Sequence, residues 1–207
     1  MLFRYDFQTI IILVPCLIFS LVFHEFAHAY AAYKLGDSTA KSMGRLTLNP
    51  IPHLDLLGGV MVLLVGFGWA KPVPVNPNNL NQPEKDMMSI AAAGPIANLV
   101  LAFLGGLIVQ TLPENNLFSV VCLVFTQINT ALAVFNLIPL PPLDGSQILT
   151  GIFIRRNPQF IYKLHQYGPK ILFAIIIFGS IANVSIIWWF IGPIVQFLTS
   201  FFIGHSF

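Results

Sequence analysis

The sequence predicts an all-α polytopic membrane protein of about five full spans plus one short re-entrant element, with short membrane-associated β-strands between the first and second full spans. Three observations carry this. Of 207 residues, 56% are hydrophobic and 9% charged, whereas an ordinary soluble domain carries roughly 25% charged residues. Apolar runs long enough to span a bilayer recur at 7–33, 87–112 and 117–138 and through 168–203. Between the first two runs the pattern breaks into short stretches punctuated by Gly and Pro. The lipid bilayer is the partner that composition identifies, and a net charge of +2 is too small to imply nucleic acid.

Phe7 to Tyr33 forms the first span, with Pro15 near its first turns and Gly36 placed to cap its C-terminal end. Arg4 and Asp6 make a weak leader, and the apolar run is too long for a cleaved signal, so this span is expected to remain. Asp37-Ser38-Thr39 reads as a turn, Ser42 to Leu48 as a short strand around Arg45 and Thr47, and Asn49-Pro50-Ile51-Pro52 as a break. Leu54 to Phe67 is apolar but too short to span, and it holds Asp55, Gly58, Gly59 and Gly66, which suits a re-entrant element. The prolines between Gly68 and Pro77 force an extended chain. Met87 to Leu112 is the second secure span and Leu117 to Ile138 the third, followed by a short amphipathic helix from Ser146 to Ile154. From Gly168 to Ile203 two further spans are expected to turn back on each other near Asn183 to Ser185, with Trp188 and Trp189 at a membrane interface. Cys16 and Cys122 lie in apolar runs without Cys-x-x-Cys spacing and read as small packing residues. Without a repeat or linker, residues 1–207 read as one unit: a core over about 8–155 and a C-terminal helical pair over 166–204.

The organising stretch is His24-Glu25-Phe26-Ala27-His28, which lies inside the first span. An ionisable residue at mid-bilayer costs roughly 2.5 to 3.5 kcal/mol on insertion scales, so three within five positions call for a functional reason. On a helix, positions i and i+4 share a face, so His24 and His28 can offer ring nitrogens to one ion with Glu25 beside them as general base. A polar packing cluster and a proton relay are the alternatives.

Lys and Arg placement sets the orientation. If the 54–67 element does not cross, Lys34, Lys41, Arg45, Lys71, Lys85, Arg155, Arg156, Lys163 and Lys170 share one side, and Arg4 alone faces the other. The positive-inside rule then puts the inner end of the first span toward the cytoplasm. The protein is expected in the cell inner membrane, multi-pass, with its site toward the cytoplasmic side.

A catalytic zinc commonly keeps three protein ligands and one open position. Candidates for the third ligand on the same side are His53, Asp55, Glu84, Asp86, Asp144 and His165. Asp144 is preferred, because it closes a proline-rich turn at the inner end of the third span. The alternative is that it caps the following helix.

Three stretches together resemble the site-2 protease family of intramembrane zinc metalloproteases: His24 to His28, Gly94-Pro95-Ile96-Ala97-Asn98, and Asn136 to Gly145 with its Asn-x-x-Pro-x-Pro-x-x-Asp-Gly pattern. The runs Gly44 to Pro50 and Gly68 to Pro77 are similar to a compact bacterial branch of the family that lacks PDZ and CBS domains. The resemblance implies one zinc per chain on His24, His28 and Asp144, with Glu25 as general base. It also implies that Asn136 is the donor to a developing oxyanion, unless its amide serves helix packing. Asn98 and His53 are candidate substrate-binding residues, although the small residues Ala93, Gly94 and Ala97 make Asn98 equally at home in a packing surface, and His53 with Asp55 can simply build a turn. The implied reaction is endopeptidase hydrolysis within or near the transmembrane segment of single-span, membrane-anchored proteins, that is, regulated intramembrane proteolysis. The rivals are a divalent metal-ion transporter using the same residues as a transient site and a scaffold with a structural metal. A transporter would favour paired halves, and no repeat appears.

Overall fold

The computed structural model describes residues 6–65, 68–113, 116–182 and 184–204. Among them the chain forms helices α1 (Phe7–Lys34), α2 (Thr39–Ser42), α3 (Leu56–Val65), α4 (Pro83–Thr111), α5 (Leu117–Asn136), α6 (Asp144–Phe153), α7 (Pro158–Ala182) and α8 (Ile186–Ile203). Of these, α1, α4, α5, α7 and α8 are long and apolar enough to cross a membrane.

Helix α4 is the hub, and three glycines on it admit three neighbours. A methyl group on Gly94 would strike the His24 and His28 rings of α1; one on Gly105 would lie 2.7 Å from Thr126 Oγ1 of α5; one on Gly106 would lie 2.6 Å from the Phe202 carbonyl oxygen of α8. Lipid gives helices no hydrophobic reason to associate, so close backbone approach supplies the packing energy instead. The hydroxyls of Ser20, Thr126 and Thr130 donate to carbonyls one turn back at 2.7 to 2.8 Å, which lets them sit buried in apolar helices.

Two apolar clusters fix the direction of α8. Ile203 packs with Val109 and Cys122, while Ile191 and Val195 pack with Val134. Helix α8 therefore runs parallel to α4 and antiparallel to α5. This has a consequence for α7. Its start follows Arg155, which is paired with Glu84 in the first turn of α4, and its end leads into Ile187, which packs near Ile138 just past α5. Both ends of α7 lie at the same end of the bundle, so the expected hairpin of two antiparallel spans is not formed. Of the expected break at Asn183 to Ser185, Asn183 lies outside the described residues.

The expected β-strands are absent among the described residues. Ser42 instead ends α2, and 68–76 joins no strand ladder, its Lys71 N–H bonding the His53 carbonyl at 2.8 Å. Two helix ends explain why. Gly36 (φ 108°) and Gly44 (φ 68°) terminate α1 and α2 in left-handed turns, with Asp37 N–H on the Ala32 carbonyl and Arg45 N–H on the Ala40 carbonyl. Each turn delivers a buried charged side chain onto the 71–79 segment. Arg45 donates to the Lys71 and Pro72 carbonyls at 2.5 and 3.1 Å, and the Asp37 carboxylate accepts from Asn76 N–H at 2.7 Å and the Asn79 amide at 2.8 Å. Side chains thus take the place of a strand ladder, and Pro72, Pro74 and Pro77 could not have donated to one.

Helix α3, the described part of the expected 54–67 element, is a ten-residue helix capped by Asp55, whose carboxylate accepts from Gly58 N–H at 2.8 Å. Its last two expected residues, 66 and 67, lie outside the described residues. At 1.5 Å per residue it is about 15 Å long, half a bilayer core, so it cannot span. The expected re-entrant element is thus not borne out: among the described residues this stretch is one short helix.

Burial alone would raise the Asp37 carboxyl, but donors from Thr39, Asn79 and Asn76 outweigh it and hold it below the ordinary carboxylate range. Its stabilisation is present above the unfolded value of about 4 and is lost as pH falls through the lower folded value. Asp37→Ala is expected to lower stability by about 1 to 3 kcal/mol and to flatten the acid limb of thermal melts in detergent. Separately, cysteines placed at 157 and 185 should be labelled by an impermeant thiol reagent from the same side of the membrane.

Candidate metal centre

Helix α1 places His24 and His28 one turn apart on the face toward α4, both nine-tenths buried or more. Their ring nitrogens divide cleanly. His28 Nδ1 lies 2.7 Å from the Ile90 carbonyl oxygen, which can only accept, so this nitrogen carries the proton. His24 Nδ1 lies 2.6 Å from Asn98 Oδ1 and is protonated for the same reason. In neutral rings this leaves both Nε2 atoms as lone pairs, which face each other at 3.0 Å.

Asp144 completes the group. Its Oδ2 lies 3.1 Å from His24 Nε2 and 3.3 Å from His28 Nε2, and it has no hydrogen-bond donor among the described residues. The loop from α5 brings it there. Gly145 packs against the Leu137 and Ile138 carbonyls, where any side chain would collide, and Pro141 rests on Gly168 of α7. Asp144 is the first residue of α6 and caps no N–H of it, so the capping alternative is not what is observed.

With both rings neutral the three acceptors repel one another, and each unpaired buried group costs about 1 to 3 kcal/mol. One divalent cation satisfies all three. Two imidazoles and a carboxylate within 4.8 Å of one another are the donor set of an open zinc site. Gly94 shapes the space, because a methyl there would stand 2.7 Å from His24 Nε2 and closer still to His28 Nε2.

The chain matches peptidase family M50 over residues 12–122 and 106–179. It belongs to that family, the site-2 protease family. No PDZ or CBS domain is indicated within the 207 residues. The M50 chain is 44% identical over 149 residues to the protein named "Putative zinc metalloprotease YwhC" of Bacillus subtilis, covering 68% of each. It is 31% identical over 192 residues to "Putative zinc metalloprotease Rip2" of Mycolicibacterium smegmatis, covering 87% of this chain and 73% of that one. A third relative, "Putative zinc metalloprotease MJ0611" of Methanocaldococcus jannaschii, is 28% identical over 151 residues. No solved structure matches the chain. As an M50 member with five long apolar helices, it is a multi-pass membrane metalloprotease.

The remaining sequence candidates fall as follows. Glu25 is buried on α1 and has no hydrogen-bond partner among the described residues. Asn136 ends α5 with one amide hydrogen on the Leu132 carbonyl at 2.9 Å. Asn98 is fully buried against His24, its amide nitrogen on the Ser20 carbonyl at 3.2 Å and on Asn129 Oδ1 at 2.8 Å. His53 is 1% exposed and sits in a loop lock, with Nε2 donating to the Thr47 carbonyl at 2.9 Å and its own carbonyl accepting from Lys71 N–H at 2.8 Å. Of the other third-ligand candidates, Asp55 caps α3, Glu84 pairs with Arg155, Asp86 accepts from Gln82 N–H, and His165 bonds Thr150. Sequence reading passed over Ser20 and Asn129. The signal was available, since both are polar residues within apolar spans.

Gly94→Ala is expected to reduce bound zinc from one per chain to near zero by elemental analysis of purified protein. Alanine favours a helix by about 1 kcal/mol over glycine, so retained helicity with lost metal would assign the effect to the site. His28→Ala should lose zinc equally.

Proposed function

We propose that this chain is an intramembrane zinc metalloendopeptidase that cuts within or near the transmembrane segment of single-span, membrane-anchored substrates, as regulated intramembrane proteolysis requires. The observation that carries the reading is the convergence of His24 Nε2, His28 Nε2 and Asp144 Oδ2, three atoms able to ligate a metal, within 4.8 Å of one another. Bound there, a zinc ion would supply Lewis acidity and lower the pKa of water.

The chain's own groups do the rest. Glu25, unpaired and one residue from His24, takes the proton from the attacking water and returns it to the leaving amine. Asn136 keeps a second amide hydrogen with which to meet a developing oxyanion. A substrate helix must unwind before its carbonyl is accessible, and the unwound strand needs partners for its backbone. Among the described residues the N–H groups of Val73 and Val75 have none, so the extended 68–76 segment is where such a strand would add. The loop to Asp144 would line the entry of water. The grouping of Lys and Arg supports a cell inner membrane protein whose site opens toward the cytoplasm. Helix α7, with Tyr162, Lys163, Tyr167 and Lys170 in its first half, would then lie along that membrane surface.

The test is cleavage of a single-span substrate by purified protein in liposomes. Glu25→Gln is expected to lower the rate by about 100- to 10,000-fold while retaining one zinc per chain, and a chelator should abolish cleavage reversibly. Cleavage at the wild-type rate by Glu25→Gln would overturn the mechanism. Zinc flux into vesicles without proteolysis would favour transport instead.

A further inference from the structure

Behind His24 lies a chain of hydrogen bonds that crosses three helices and has only one possible polarity. Asn98 donates from its amide nitrogen to the Ser20 backbone carbonyl, which cannot donate in return, so its oxygen must face His24 Nδ1. Asn129 donates to the Phe125 carbonyl at 2.9 Å and to Ser20 Oγ at 2.8 Å, so its oxygen must face the Asn98 amide. Ser20 in turn donates its hydroxyl hydrogen to the Cys16 carbonyl at 2.7 Å. Ser20, Asn98 and Asn129 are each 0% exposed, so water does not compete for any of these bonds.

The direction matters because an asparagine amide can present either end. With the amide reversed, Asn98 would offer N–H to His24 Nδ1, the ring would carry its proton on Nε2, and the coordinating lone pair would be gone. Asn98 alone has no preference between the two orientations. The backbone carbonyls of Cys16, Ser20 and Phe125 supply it, and Asn129 relays it across from α5.

We propose that Asn129, supported by Ser20, is a positioning residue that acts through Asn98 to keep His24 Nε2 unprotonated and aimed at the metal. This deepens the proposed zinc site and rests on it. Groups that orient a metal-bound histidine typically change metal affinity 10- to 100-fold when removed, although here the residue stands one step further back. No residue of the relay touches the reacting atoms.

The experiment measures zinc affinity by chelator competition, and the visible spectrum of the cobalt-substituted protein, in detergent. Asn129→Leu should weaken zinc binding about 10-fold and shift the cobalt bands, whereas Ser20→Ala, a milder change that leaves the helix intact, should move both in the same direction by less. Asn98→Ala should weaken binding further, and adding Asn129→Leu to it should cost no additional affinity, because the relay has already been cut. A second variant, Asn129→Asp, keeps the acceptor for Asn98 but loses the donors to Phe125 and Ser20 Oγ, and it should recover part of the affinity lost in Asn129→Leu. Unchanged zinc affinity and cobalt spectrum in Asn129→Leu, with only a lower melting temperature of the metal-free protein, would overturn the proposal and leave Asn129 as helix packing. Additive losses in the double variant would also overturn it. If the wild-type protein binds no zinc or cobalt, the zinc-site reading itself fails, and that outcome is read before any variant is made.

Discussion

The molecule turns on where two protons sit. Each histidine of α1 hands its Nδ1 hydrogen to an acceptor on α4, the Ile90 carbonyl for His28 and the Asn98 amide for His24. In neutral rings that leaves both Nε2 atoms as lone pairs on the opposite side, where Asp144 arrives as a third acceptor. Reversing either proton would turn a ligand into a donor and fill the cavity with a hydrogen bond. The packing of α4 on α1 is thus part of the chemistry, and Gly94 is the residue that lets the two helices meet at the depth of the rings.

Much of this was legible because lipid penalises polar groups so heavily. Five residues from His24 to His28 stood out in an apolar run, and helical periodicity put the two imidazoles on one face. Asp144 followed from a proline-rich turn ending in a carboxylate near the end of a span. The same cost argument, applied to every polar residue in the spans, would have marked Ser20 and Asn129. The Ile90 carbonyl could not be read, since every residue carries a carbonyl, and which one is used depends on how α4 packs against α1.

The strands were misread for a physical reason. Alternation and prolines indicate an extended chain without saying what satisfies its backbone. Here Arg45 and Asp37 do so from two glycine-terminated turns, and a charged side chain reaching across from a distant turn leaves no periodic trace. Likewise, hydropathy reports that α7 and α8 are apolar, but their relative direction emerges only from contacts such as those of Ile203 with Val109 and Ile191 with Val134.

Holding a segment by its two ends has a consequence for what sets its position. Arg45 grips the chain at Lys71 and Pro72, and Asp37 grips it at Asn76 and Asn79, both through main-chain or turn atoms that surround, and do not include, Val73, Pro74 and Val75. None of those three residues supplies an anchor, although Val75 packs on the cluster of Ala32, Leu80 and Ile90. The middle of the segment is therefore held from outside itself, and its position over the fold is set more by two distant turns than by its own side chains.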